Sequence, residues 1–314
     1  MPFSRDDFTT IKALAAGQAG AMNAGIILVR TRKGTKAIEK RFDESTVRHG
    51  FAAREVKTMQ RCNHTNVCAY LGSDLDTRRC GYGSLFMERC ELGSLEMLVK
   101  QFIRYNKMQI PEGFLWKVLW DMSLALCYLQ TGVNAERSAK SGVPMTRAEK
   151  SKGWEEIVHC DIKPGNIFLT MRDATSQYPT VVLGDFGCSV SDSRRHKMQH
   201  KMDAFTSCFA PPEAPQYSDA SDIYSLALTV HCMAVQRPAP VSDKEKLRHE
   251  PCGSLGYSGT LARLLKRALA KSVKDRPDAL YLPYLVAREK AASKNEPGAN
   301  LERAARALPS WVFE

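Results

Sequence analysis

Between two apolar runs the chain carries HCDIKPGNIFL, residues 159–169, and beyond it LGDFG, residues 183–187. Asp161, Lys163, Asn166 and Asp185 bring carboxylate, amide and ammonium groups into this stretch. Phosphoryl transfer needs Mg²⁺ on nucleotide phosphates, a group that orients the incoming hydroxyl, and positive charge where negative charge shifts in the transition state. These residue types supply all three. Any one of them alone reads more simply as a loop or capping residue, so the chemical reading rests on their joint occurrence in this order.

The elements that must position them differ along the chain. IKAL, AGIILVR and TKAIEKRF are β-type runs, the last two separated by a turn at Lys33 and Gly34. From Val47 to Gln60 the pattern becomes helical, with Phe51, Glu55 and Met59 four apart and Val56 beside them, so Glu55 shares the face turned to the protein. After LFMERCELGSL, apolar residues from Leu115 to Leu129 recur at helical spacing behind a helix start at Pro111-Glu112. Residues 131–153 hold Gly, Ser, Lys and Arg with little periodicity and read as a basic surface loop that folding does not need. Residues 287–314 read as a charged, Ala-rich helix followed by PSWVFE, whose aromatics dock back on the body. The fold class is α+β, with a β-rich small lobe holding one helix and a larger, mainly α-helical lobe.

HCDIKPGNIFL and LGDFG resemble the catalytic loop and metal-binding segment of the eukaryotic protein kinases, of the serine/threonine type. The resemblance runs from about Ile11 to about Tyr284, and PEGFLWKVLWDMSLALCYL, KPGNIFL and VVLGDFG are most similar to the NIMA-related group. It implies a bilobal fold with a small lobe at 1–87, a hinge at 88–93, a large lobe at 94–290 and a tail at 291–314. It further implies ATP and Mg²⁺ as cofactors, Asp161 orienting a protein serine or threonine hydroxyl, Lys163 offsetting γ-phosphate charge, and Asn166 and Asp185 holding the metal. Lys40 in KAIEKRF matches the phosphate-binding strand lysine, with Lys36 a weaker fit, and Glu55 matches its helix partner. Met87 falls at the gatekeeper position, with Glu88 to Cys90 as the adenine-binding hinge. Glu213 is implied to pair with Arg276, and Asp222 to anchor the backbone around His159. The glycine-rich turn is the poorest match: Ala15-Ala16-Gly17-Gln18-Ala19-Gly20 keeps Gly17 and Gly20 but has alanine at the first glycine. Cys160 replaces the arginine before the catalytic aspartate and Phe205 replaces a glycine. Cysteine cannot clamp an activation-segment phosphate, so ordering by an activating partner or by intramolecular contacts is expected instead; the alternative is phosphorylation at Ser189, Ser191, Ser193, Thr206 or Ser207 with Arg194 or Arg195 as a substitute clamp. Cys188, after Asp-Phe-Gly, is expected to line the ATP site, where a nearby lysine and metal favour a partly ionised thiol, with a buried inert cysteine the commoner alternative.

Composition bounds the rest. At 314 residues and 44% apolar content the chain can bury a large core. Ten cysteines without a signal sequence or zinc-site spacing suggest reduced thiols. With no apolar leader and no long apolar run, the expectation is a soluble intracellular protein of the cytoplasm, the nucleus or both, with no membrane span. The net charge of +11 is partly concentrated at 137–152 and 194–201; without a nucleic-acid-binding fingerprint it does not argue for a nucleic-acid partner. Beside an active kinase stand two rivals: a pseudokinase scaffold, suggested by Ala15, Cys160 and Phe205, and a basic adaptor, suggested by charge alone.

Overall fold

Alternation and β-branched residues dominate the first elements: β1 (Phe8–Ala16), β2 (Gly25–Thr31), β3 (Lys36–Asp43), β4 (Tyr70–Asp74) and β5 (Tyr82–Glu88). The computed structural model describes residues 5–16, 24–105, 108–191, 206–296 and 305–313. The five strands form an antiparallel sheet in the order β1-β2-β3-β5-β4. Its β2–β3 turn places Gly34 at φ 86°, a left-handed conformation that glycine adopts without a Cβ clash. Central β3 pairs Lys40 with Ile26 on one side and Leu85 on the other, so its lysine rises from the best-supported strand of the sheet.

The helix expected over 47–60 is two helices, α1 (Glu44–Arg48) and α2 (Phe51–Arg61), because Gly50 at φ 80° breaks the run between them. Asp43 caps α1 by accepting from the Thr46 N–H at 2.6 Å. Met59, Val56 and Ala52 bury the inner face of α2, and Glu55 lies among them. On the opposite face of the sheet Phe8, at the start of β1, stacks on Phe86 with ring centroids 3.9 Å apart, beside Ile27, Val29 and Ala37.

The helical part starts with α3 (Leu95–Tyr105) and α4 (Glu112–Thr131). Only Glu112, Gly113, Lys117 and Trp120 of α4 escape full burial, which makes it the central core helix. Asp121 on α4 accepts from the Val181 N–H at 2.8 Å and so registers the helix against the hairpin of β7 and β8 described next. Short strands carry the candidate site: β6 (Ile157–Val158) pairs with β9 (Val190–Ser191), and β7 (Ile167–Thr170) with β8 (Thr180–Leu183). Beyond them, α6 (Asp219–Ala234) is buried along nearly its whole length, and α7 (Lys244–His249), α8 (Gly259–Ala268) and α9 (Leu282–Ser293) complete the body.

The loop reading of 131–153 is corrected by this packing. The segment contains α5 (Glu136–Lys140) and a 3₁₀ turn at Arg147–Glu149; Ala135 and Met145 pack with Leu124 and Cys127 of α4, and Ala139 is buried. Its basic side chains face outward while these apolar ones face in. Trp154 closes the segment, its indole N–H donating to the Leu129 carbonyl at 3.0 Å and its ring set edge-on to Tyr128. At the far end, the aromatics of the tail do dock: Trp311 lies 5.0 Å from Phe102 and 4.7 Å from Tyr105, and Val312 is buried. The last helix begins at Leu282, earlier than the charged stretch alone indicates. Among the described residues no helix is long and apolar enough to cross a membrane.

Candidate active site

β3 and α2 bring Lys40 and Glu55 together. The Lys40 Nζ lies 2.8 and 2.9 Å from the two Glu55 carboxylate oxygens and 2.7 Å from Asp185 Oδ1. Lys40 is 5% exposed and Glu55 1%, so their charges depend on each other rather than on water. Burial works against the Lys40 charge, but Asp185 and Glu55 more than offset it and hold the ammonium form above its ordinary range. Burial also pushes the Glu55 carboxyl up while Lys40 pulls it back, and with Lys40 in contact with both oxygens the pair is ionic. Asp185 is 40% exposed at its side chain; burial tends to raise it, the Lys40 charge and hydrogen bond prevail, and its pKa falls to about 2.

The opposing wall is fixed by a buried carboxylate. Asp222, at the start of α6, accepts from the backbone N–H of His159 at 2.7 Å and of Cys160 at 2.9 Å. These bonds support Cys160 at φ 68°, a conformation rare for a residue with a Cβ. The His159 Nδ1 accepts from the Asp161 N–H at 3.3 Å, which leaves Nε2 as donor to the Gly184 carbonyl at 3.0 Å. Asn166 donates to the Asp161 carbonyl at 2.8 Å and to its Oδ2 at 2.9 Å. Lys163 donates to the same Oδ2 at 2.7 Å and to Thr206 Oγ1 at 2.6 Å, while the Thr206 N–H reaches Asp161 Oδ1 at 3.1 Å. The structure thus brings Lys40, Glu55, Asp161, Lys163, Asn166 and Asp185 to one cleft between sheet and helices.

Residues 152–280 match the family model described as protein kinase domain. The chain carries a protein kinase domain. Among curated relatives, the G2-specific protein kinase nimA of Emericella nidulans is 28% identical over 91% of this chain and 42% of its own length. The Aurora kinase of Yarrowia lipolytica is 30% identical over 73% of this chain and 52% of its own, and the probable serine/threonine-protein kinase nek2 of Dictyostelium discoideum is 25% identical over 71% and 49%. The chain spans from about a quarter to about half the length of these and similar relatives. The names of the nimA and nek2 relatives agree with the NIMA-related group that the motifs resemble, and that of nek2 with the serine/threonine type.

Met87 is 9% exposed and pairs with Tyr70 and Ile38 across the sheet. The Glu88 N–H is spent on the Ala69 carbonyl at 3.0 Å, and its carboxylate binds the Ala69 N–H and Arg172 at 2.8 Å, tying the strand end to the helical part. Cys90 is half-buried, its thiol pushed up to about 12 by burial. Glu213 and Arg276 form a two-pronged pair at 2.7 Å for each bond. Gly17, Gly20, Ser193, Arg194, Arg195 and Phe205 lie outside the described residues. The expectation for Cys188 is corrected: it packs among Val158, Cys160, Val190 and Tyr217, and burial pushes its thiol up to about 12, so it is not ionised at neutral pH.

Two contacts escape a reading of motifs. Arg54, only 8% exposed, donates to the Gly187 carbonyl from α2. Arg61 at the end of α2 donates to the Glu155 carbonyl at 2.7 Å and lies 5.1 Å over the Trp154 ring. An arginine on an amphipathic helix reads as solvent-facing, and nothing in the spacing distinguishes these two; the only sequence hint is that Arg54 adjoins Glu55.

Proposed function

We propose that the chain transfers the γ-phosphoryl group of ATP to serine or threonine hydroxyls of protein substrates, with Mg²⁺ as the metal. The observation that supports this most strongly is Lys40 held between Glu55 and Asp185, which closes α2 and the Asp-Phe-Gly turn on one ammonium. The donor set fits the nucleotide and its metal. Mg²⁺ takes one or two carboxylates and completes its shell with water and substrate phosphates, which suits Asp185 with the side-chain oxygen of Asn166. Mg·ATP, when bound, supplies the electrophilic phosphorus and neutralises phosphate charge.

Lys40 would bind the α- and β-phosphates, and Asp185 and Asn166 would hold the metal. Asp161, kept in place by Asn166 and Lys163, would accept the hydrogen bond of the substrate hydroxyl and orient it. Lys163 reaches the same carboxylate from outside the cleft and would offset developing negative charge. Thr206 contacts both, which supports a role for the end of the activation segment in receiving the substrate hydroxyl. Met87 and the backbone of Glu88 to Cys90 would border the adenine, and Gly17 and Gly20 would cover the phosphates. An intracellular setting, in cytoplasm, nucleus or both, and a protein activator belong to the same proposal.

Purified protein with Mg·ATP and a generic basic protein substrate tests it beside Asp161→Asn and Asp185→Asn. Wild type is expected to incorporate phosphate at least ~100-fold faster than either variant, the scale of losing a transition-state interaction. Equal incorporation overturns the enzyme, and equal incorporation with an ATP-dependent rise in melting temperature establishes the pseudokinase.

A further inference from the structure

The helix that carries Glu55 presents a second polar row beside it. Arg54 and Thr58 stand one turn apart on α2, the spacing that places side chains on a common face. Both meet the turn that follows Asp185: Arg54 donates to the Gly187 carbonyl, and Thr58 Oγ1 comes within 3.4 Å of Ser189 Oγ. Ser189, fully buried, gives its one hydroxyl proton to the Phe186 carbonyl at 2.7 Å, so the turn is bonded within itself and, through Arg54, to the helix. The approach is tight, since a Cβ at Gly187 would meet Glu55 Oε2 at 3.3 Å and Lys40 Nζ at 3.5 Å.

A guanidinium so nearly excluded from water requires a polar partner, and a backbone carbonyl is one that no change of side chain or phosphorylation state removes. The Arg54 carbon Cζ also sits 5.3 Å over the Phe51 ring, which restricts its rotamers. Cys160, where the family's arginine stands, has no cationic group with which to order the segment.

We propose that Arg54 is a positioning residue for the transfer reaction: by holding the Gly187 carbonyl it keeps the Asp185 turn against α2, and so keeps the Asp185 carboxylate on Lys40, without a phosphorylated activation segment. This rests on the kinase reading above. The acting group is the donor fork on a carbonyl, so it requires neither a phosphate nor any residue of 192–205.

The test uses the full chain after phosphatase treatment, with initial rates taken before autophosphorylation accumulates and amide hydrogen exchange read over residues 186–191. Arg54→Met is expected to lower kcat at least ~tenfold with KM for ATP changed less than about threefold, and to speed exchange in that window. Arg54→Gln, which keeps an N–H donor, should recover part of both losses. The proposal fails if Arg54→Met leaves either kcat or exchange as in wild type, if Arg54→Gln behaves as Arg54→Met, or if phosphatase alone abolishes wild-type activity. Should wild type transfer no more phosphate than Asp161→Asn, the kinase reading falls and the catalytic role of Arg54 falls with it. The exchange comparison then reports only whether the latch itself exists.

Discussion

The two walls of the cleft are held in different ways. On the catalytic-loop side, Asp222, His159 and Asn166 bond backbone atoms of their own neighbourhood, and the geometry around Asp161 is set within the helical part. On the sheet side, Lys40 is placed by partners from two other elements, Glu55 on α2 and Asp185 beyond β8. Helix α2 in turn relies on Arg54 reaching Gly187 and Arg61 reaching Glu155. One wall is therefore held by contacts within the helical part, and the other only by contacts between separate elements. Regulation has purchase on the second, because a contact between elements has an open alternative and a backbone anchor does not.

Removing the shared ammonium is the most severe way to break the contingent wall. Lys40→Met is expected to lower phosphate transfer at least ~100-fold, about 2.7 kcal/mol of transition-state stabilisation. It also strands the Glu55 carboxylate, which is buried rather than near solvent, so stability should fall by about 3 kcal/mol. The double variant Lys40→Met/Glu55→Gln should recover most of that stability and none of the activity. Denaturant midpoints and initial rates separate the two; matching midpoints for single and double variants would mean that the pair contributes no stability through its charge.

How far each wall was legible in the sequence follows from the same difference. Asp161, Lys163 and Asn166 lie within six residues of one another in HCDIKPGNIFL, and a local cluster keeps its order in the fold. Glu55 was readable because helical spacing alone puts it on the Met59 face. The supports were not. Arg54 and Arg61 act on carbonyls and a ring from distant segments, and carbonyls have no signature in a sequence. The bond between Glu88 and Arg172, 84 positions apart, is invisible for the same reason. Cys188 was misread because adjacency to Asp-Phe-Gly says which turn it follows and nothing about which way its thiol packs. The segment 131–153 was misread because three inward residues are scattered among outward Lys and Arg, too few for a period to emerge.

That segment gives the next test, of intermediate size. Through Trp154 and Glu155 it supports the C-terminal end of α2 from the helical part, so it belongs to the contingent wall. Met145→Ala is expected to cost about 2 kcal/mol by opening a cavity against Leu124 and Cys127. Deleting 134–150 should cost more, by exposing that apolar face of α4 to water. An unchanged denaturation midpoint after the deletion would show that the segment merely drapes over the surface, as its composition suggests.

The smallest effect concerns the joint between the walls. Residues 64–68 connect α2 to β4, and they bond the helical part closely: the Leu183 N–H donates to the Asn66 carbonyl at 2.9 Å and the Cys68 N–H to the Leu183 carbonyl at 2.8 Å. His64 stacks on Tyr128 with ring centroids 4.8 Å apart, and its Nδ1 accepts from the Asn66 N–H. Burial lowers its pKa to about 4, below the ordinary 6.5, and a proton on Nδ1 would displace the Asn66 bond. The folded chain thus refuses a proton that the unfolded chain accepts. Stability from this group is complete above pH 6.5, is lost as pH falls from 6.5 to about 4, and changes no further below that. His159 and His231, also buried and lowered, add slope of the same sign. For a half-buried ring the loss attributable to His64 is about 1–2 kcal/mol across the window. Melting temperatures taken between neutral pH and pH 4 should therefore fall less steeply in His64→Gln than in wild type. If the two slopes coincide, the joint carries no proton-linked stability, and acid sensitivity must come from other groups, His159 and His231 among them.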